Sequence, residues 1–179
     1  MQTALQNMIP QACVASLAGV AALIDHRTGK IPNWLTLPML IVGPAYWTFI
    51  HGTLGFAESL GGIIVCGVPA LLVYQAAGMP GGDLKLFGAV GGLLGPTMGL
   101  EVEFFALLAA SFWGFIVLAR KRRLRATLLD ALVLPINRFL PEARRRVPAE
   151  QSTDQLRIGP FVLFGTLVAI ARHSRQWIQ

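Results

Sequence analysis

Six apolar stretches, most of them close to the length needed to cross a lipid bilayer, dominate this sequence. A transmembrane helix needs roughly 20 mostly apolar residues, and the candidate stretches lie at about 8–24, 35–51, 59–77, 86–100, 103–119 and 158–173. Only 13% of the 179 residues are charged and 54% are hydrophobic, whereas soluble domains are about a quarter charged. The sequence therefore predicts an all-α, multi-pass membrane protein with about six transmembrane helices in one domain, residues 1–179.

The basic residues indicate how this bundle is oriented. Of the 15 Lys and Arg residues, 13 fall in three predicted loops, 25–34, 78–85 and 120–157. Cytoplasmic loops of membrane proteins are enriched in these residues, so we expect all three loops in the cytoplasm and both termini on the outer side. The net charge of +6 then reflects membrane topology and gives no reason to expect nucleic acid as a partner. Within 120–157, we expect a solvated basic loop or a segment that lies on anionic lipid.

Two isolated aspartates follow apolar stretches at the predicted cytoplasmic side. Asp25 opens the stretch DHRTGKIPNWLT, in which Asn33 and Thr36 are polar residues at the start of the second helix. Asp83 follows two glycines, Gly81 and Gly82, in the stretch GMPGGDLKL, which also contains a lysine at position 85. Consecutive glycines allow close backbone approach. A carboxylate beside hydrocarbon is costly, so two at the same depth favour a joint role.

Each aspartate also has a purely structural interpretation. Asp25 could pair with Arg27 or Lys30 in its own loop. Asp83 could cap the N-terminus of the fourth helix. Asn33 and Thr36 fit helix capping as well as a role in ordering the loop beside Asp25. These interpretations account for the residues singly but leave the combination of the two motifs unexplained.

The combination of D-x-x-x-x-x-I-P-N-x-L-T with G-G-D-x-K-L resembles the type IV prepilin leader peptidases, which are membrane aspartic proteases of the GxGD class. The resemblance extends over residues 20–172 and includes the segment IGPF, residues 158–161, at the start of the last helix. The chain has Pro80 where family members commonly have the first glycine of GxGD. It also lacks the cysteine-containing domain of larger members, so it is similar to the short form associated with Flp/Tad-type pilus systems.

The resemblance implies a membrane aspartic endopeptidase of the bacterial inner membrane, with Asp25 and Asp83 as its catalytic residues. It implies supporting or substrate-binding roles for Gly81, Gly82, Lys85, Asn33 and Thr36. The substrate would be a prepilin or pseudopilin with a short basic leader, a glycine before the scissile bond and an apolar helix after it. Two close carboxyl groups suit peptide hydrolysis because they can share one proton and act as base and acid.

Two other functions are compatible with these residues. A small transporter could use paired intramembrane carboxylates, but transport sites usually lie near the bilayer midplane. An inactive relative could act as a pilus-assembly scaffold, as the proline at position 80 would allow. We expect no cofactor and no metal site, because no H-x-x-x-H, HExxH or CxxC spacing occurs. The oligomeric state does not follow from the sequence.

Overall fold

The part of the chain that the structure describes forms four helices. The computed structural model describes residues 2–77, 80–120 and 157–176, with side chains for 8–75, 80–120 and 157–174. The helices are α1 (Gln2–Thr28), α2 (Asn33–Ala77), α3 (Gly81–Arg120) and α4 (Gly159–Gln176). No strand occurs in these ranges. The prediction of an all-helical fold is therefore confirmed for the part of the chain that the structure describes.

The connection from α1 to α2 follows from its local sequence. Gly29 adopts a positive φ of 68°, a conformation that glycine reaches without a steric penalty. Its amide donates a hydrogen bond of 2.8 Å to the carbonyl oxygen of Asp25, which ends α1. Pro32 stands just before α2, where a missing N–H is not needed, and its carbonyl accepts the amide of Leu35 at 3.1 Å.

The two longest helices each fold back on themselves at a glycine. Gly52 in α2 and Gly95 in α3 have non-helical backbone angles with φ of 63° and 78°. A β-carbon added at Gly99 would lie 2.8 Å from the Cα atom of Gly91. Residues eight apart in a straight helix are separated by about 12 Å, so the chain must reverse between them. Gly55 likewise packs against the carbonyl oxygen of Trp47, eight residues earlier.

These reversals divide α2 into arms 33–51 and 53–77, and α3 into arms 81–94 and 96–120. With α1 and α4, the described residues thus contain six helical segments. The predicted end of the second segment at residue 51 agrees with the turn at Gly52. The predicted break between residues 100 and 103 was wrong, because the chain turns at Gly95, where a positive-φ glycine precedes Pro96.

Among the described residues, three helices are long and apolar enough to cross a membrane, namely the spans Met8–Thr28, Asn33–Gln75 and Gly81–Arg120. The apolar side chains at the surface of the bundle agree with a lipid environment: Phe49 is 89% exposed and Leu54 is 75% exposed. The protein is therefore a membrane protein with apolar helices. Six spans and outward-facing termini are still predictions.

Close glycine contacts hold the arms of α2 and α3 together. Gly62 and Gly91 pack backbone against backbone, and a β-carbon at Gly43 would lie 2.8 Å from the carbonyl carbon of Gly92. The hydroxyl of Ser59 donates a 2.6 Å hydrogen bond to the carbonyl oxygen of Gly92. Small residues commonly permit such approach between membrane helices. The buried side chains around these contacts include Leu86, Phe87, Val90 and Leu93.

We expect Gly62→Ala to destabilise the bundle, because its methyl group would overlap the carbonyl of Gly91. Overpacking of this kind costs about 1–3 kcal/mol, which thermal unfolding of the purified protein in detergent will measure. The neighbouring Gly61→Ala is the matched control, since nothing lies within 4 Å of a β-carbon there. Equal unfolding temperatures for the two variants would contradict the close contact.

The contacts within the chain define two compact units, residues 1–109 with 157–179, and residues 110–156. The first unit contains both aspartates. Of the second, the structure describes the end of α3, residues 110–120. The predicted basic loop at 120–157 lies outside the described residues except for its two ends. Its cytoplasmic position and the single-domain organisation are still predictions.

Candidate active site

Asp25 lies in the last turn of α1 and is 3% exposed. Its Oδ2 atom accepts a 2.9 Å hydrogen bond from the backbone amide of Gly159, the first residue of α4. Two residues earlier, the guanidinium of Arg157 donates a hydrogen bond to the carbonyl oxygen of His26. The segment 157–159 therefore contacts the end of α1 at two points, one of which is the Asp25 carboxyl group.

Asp83 lies in the first turn of α3 and is 2% exposed. Its amide donates a 3.1 Å hydrogen bond to the carbonyl oxygen of Pro80, directly before the helix. That position suits proline, because the first residues of a helix have no intrahelical partner for their N–H groups. The replacement of the usual glycine by Pro80 is thus compatible with a regular start of α3.

The two aspartate motifs meet at one end of the first unit, which we call the aspartate end. It is formed by the C-terminus of α1 and the N-termini of α2, α3 and α4. Here a β-carbon at Gly82 would lie 2.6 Å from the carbonyl oxygen of Ile31, so the loop before α2 packs directly on the start of α3. Asp83 follows Gly82 directly, so both buried aspartates lie at this end of the bundle.

Two carboxyl groups in such an arrangement can act together as an acid and a base. Two carboxyl groups at close range do not both ionise readily, so one can keep a proton while the other accepts one. Such a pair can deprotonate a water molecule and protonate a carbonyl oxygen. Within the described residues, no group of three His, Cys, Asp or Glu side chains is placed to hold a metal ion.

The predicted supporting residues differ in their placement. The ammonium group of Lys85 donates a 2.7 Å hydrogen bond to Oδ1 of Asn33, which connects the starts of α2 and α3. Gly82 makes the contact with Ile31 described above. A β-carbon at Gly81 would meet only the ring of Tyr74, at 3.9 Å. The structure therefore brings Asn33, Lys85 and Gly82 into the junction between the motifs, whereas Gly81 packs loosely.

Thr36 is fully buried, and its hydroxyl has no hydrogen-bond partner in the described part of the chain. A buried hydroxyl without a partner costs stability, and its removal by an isosteric apolar group is often neutral or stabilising. We expect Thr36→Val to unfold at the same or a higher temperature and to cleave substrate within about twofold of wild type, since only an unsatisfied polar group is lost. A tenfold loss of cleavage in this variant would instead indicate that the hydroxyl contacts substrate.

A cleft of about 470 Å³ lies at the aspartate end, between the last turn of α1 and the first turn of α2. Its walls include Ile24, Thr28, Lys30 and Trp34. Its walls come from the end of α1 and the connection to α2, and neither aspartate lines it. A second cavity, of about 320 Å³, lies at the opposite end of the bundle, where it is lined by Trp47, Glu58 and His173 among others.

Two contacts of the aspartate end were not identified from the sequence. One is the amide of Gly159 at Oδ2 of Asp25, and the other is the packing of Gly82 on Ile31. The segment IGPF was identified as similar to a family motif, and glycine before proline at a helix start was the available signal. Nothing in the local sequence connects residue 159 with residue 25.

Comparison with known proteins identifies the family. The family model of the type IV leader peptidases matches residues 12–119, which is more than half of the 179-residue chain and includes both aspartate motifs. The matched region ends before α4, so Gly159 lies beyond it. No curated protein and no solved structure matches the chain. The chain therefore belongs to the type IV leader peptidase family and is a membrane-embedded protease of that class.

Proposed function

We propose that this protein is an aspartic endopeptidase that removes the basic leader from type IV or Flp prepilins at the cytoplasmic face of the bacterial inner membrane. The observation that carries the proposal is that two buried aspartates, Asp25 and Asp83, lie at the same end of the bundle, where Gly82 packs on the loop that follows α1. Isolated carboxylates at helix ends would not require the two motifs to pack against each other. Their packing supports a joint chemical role.

In this mechanism one aspartate removes a proton from water while the other donates a proton to the carbonyl oxygen of the scissile peptide. The resulting tetrahedral intermediate collapses as a proton passes to the leaving amine. The two carboxyl groups return to one shared proton at the end of the cycle. Burial holds both groups in fixed positions, which favours attack by a positioned water molecule.

The location of the pair also suits a prepilin. The apolar helix of the substrate can lie in the bilayer beside the exposed apolar surface of the bundle, while its basic leader stays in the cytoplasm. The scissile bond would then lie at the depth of the aspartates. The cleft beside Ile24 and Asn33 offers room for the residues next to that bond.

The position of the aspartates favours hydrolysis over transport. Asp25 lies in the last turn of α1 and Asp83 in the first turn of α3. Four helix ends meet at this point. Transport sites that use intramembrane carboxylates usually lie near the bilayer midplane on broken helices. The chain does break two helices, at Gly52 and Gly95. Gly95 lines the cavity at the opposite end of the bundle, and so does Trp47, which packs against Gly55 just after the other turn.

The test is a cleavage assay with the purified full-length protein in lipid vesicles. A synthetic prepilin with its leader is added, and mass spectrometry identifies the product. We expect one cut directly after the glycine of the leader. The matched substrate has a bulky residue in place of that glycine and should remain intact. A folded wild-type protein that leaves the prepilin uncut, or that cuts elsewhere, would contradict the proposal.

A further inference from the structure

The residues that lead into α4 form a short segment, 157–159, that contacts the end of α1. The guanidinium of Arg157 donates to the carbonyl of His26, and the Gly159 amide donates to Oδ2 of Asp25 at 2.9 Å. Ile158 between them is 7% exposed and belongs to the buried core. One buried side chain is thus flanked by two hydrogen bonds to consecutive residues of the neighbouring helix. We call residues 157–159 the clasp.

The clasp can restrict the carboxyl group of Asp25 in a way that α1 alone cannot. An aspartate at the end of a helix is free to rotate about its side-chain bonds, and its terminal torsion has a broad preference. The Gly159 amide fixes one oxygen, so the orientation of the other oxygen is also set. Positions of reacting groups matter at this scale, since a displacement of about 1 Å can cost about 100-fold in rate.

Glycine at position 159 is required by the closeness of this contact. An added β-carbon would lie 2.9 Å from the β-carbon of Asp25, 3.0 Å from its Oδ2 and 3.0 Å from the Cα atom of Ala22. Any larger residue would separate α4 from α1 or turn the carboxyl group away. The close packing of Asp25 and Ala22 therefore leaves room only for glycine at position 159.

We propose that Arg157 and Gly159 are positioning residues, which hold the Asp25 carboxyl group in its reactive orientation through the clasp. The inference rests on the proposed function, in which Asp25 is catalytic. Arg157 contributes by anchoring the clasp to His26, and Gly159 by supplying the amide. Neither residue reacts with the substrate, so their loss should reduce turnover while substrate binding is retained.

The experiment compares Arg157→Ala with Arg172→Ala. Both changes remove one arginine charge beside or within α4, but Arg172 lies thirteen residues beyond Gly159, over the ring of Phe105 at 5.6 Å from its centroid. We expect Arg157→Ala to lower kcat at least fivefold with KM within twofold, and Arg157→Lys to recover most of the activity, because lysine can donate to the same carbonyl. Arg172→Ala should stay within twofold of wild type.

A second pair of variants tests the contact between the Gly159 amide and Asp25. Gly159→Ala should lower kcat at least 30-fold per folded molecule, because its methyl group displaces the carboxyl group of Asp25. Gly165→Ala, also in α4, overlaps the carbonyl of Val102, so it disturbs helix packing away from Asp25. Equal loss of kcat in the two folded variants, or full activity of both Arg157→Ala and Gly159→Ala, would overturn the clasp.

A measurement that does not need activity separates the clasp from the proposed function. Arg157→Ala and Asp25→Ala are combined, and the unfolding temperatures of the single and double variants are compared. Residues in one hydrogen-bonded unit give non-additive changes, so the double variant should lose less than the sum of the single losses. Additive losses would overturn the clasp even if wild type cleaves prepilin. Non-additive losses with an uncleaved prepilin would contradict the proposed function and leave the contact itself supported.

Discussion

Replacement of either Asp25 or Asp83 by asparagine should abolish prepilin cleavage and leave the folded bundle intact. Asparagine keeps the shape of the side chain, and its carbonyl oxygen can still accept the amide of Gly159. It cannot take or give a proton, so either variant removes half of the acid–base pair. General acid–base catalysis contributes about 10²–10⁴-fold per group, and we expect a loss of at least about 10³-fold in kcat. The measurement is the rate of product formation by mass spectrometry.

The control removes a carboxyl group at the other end of the bundle. Glu58 is exposed and lines the cavity near Trp47 and His173, so Glu58→Gln should cleave at the wild-type rate. The double variant with both aspartates replaced should be no slower than either single variant, since the pair acts as one unit. A variant at position 25 or 83 that still cleaves prepilin normally would exclude that residue from the catalytic pair.

Gly82→Ala should inactivate the enzyme through the geometry of the pair. Its β-carbon would lie 2.6 Å from the carbonyl oxygen of Ile31 and 3.1 Å from the β-carbon of the same residue. Backbone atoms cannot move aside as a flexible side chain can, so the start of α3 must shift away from the loop before α2. Asp83 is the next residue and shifts with it. We expect cleavage to fall by about 100-fold, measured with the same substrate and normalised to folded protein.

The adjacent glycine provides a matched control for this prediction. A β-carbon at Gly81 would make an ordinary contact of 3.9 Å with the ring of Tyr74, so Gly81→Ala should retain activity within about threefold, because no backbone is displaced. The sequence motif alone treats these two glycines alike. If Gly81→Ala is inactive and Gly82→Ala is active, the packing of Gly82 on Ile31 does not position Asp83.

The sequence contains enough information to predict the membrane class, the helical fold and the two aspartates of the candidate site. Long apolar stretches have few other ways to satisfy their backbone hydrogen bonds in lipid, so their helical state follows from local composition. The end of α1 was predicted about four residues too early, at residue 24 instead of Thr28, although Gly29 and Pro32 did indicate the turn that follows. Asp25 and Asp83 stood out because each is a lone carboxylate beside an apolar stretch.

Only the tertiary structure decided which of these residues touch one another. Gly159 reaches Asp25 across 134 positions of sequence, and Asn33 reaches Lys85 across 52. Local periodicity depends on neighbours within one or two helical turns, so it contains no information on such pairs. The sequence by itself determined that the chain forms apolar helices with carboxylates at their ends. The meeting of those ends, and the close backbone contact at Gly82 that Gly81 does not make, arise between segments that are distant in the chain.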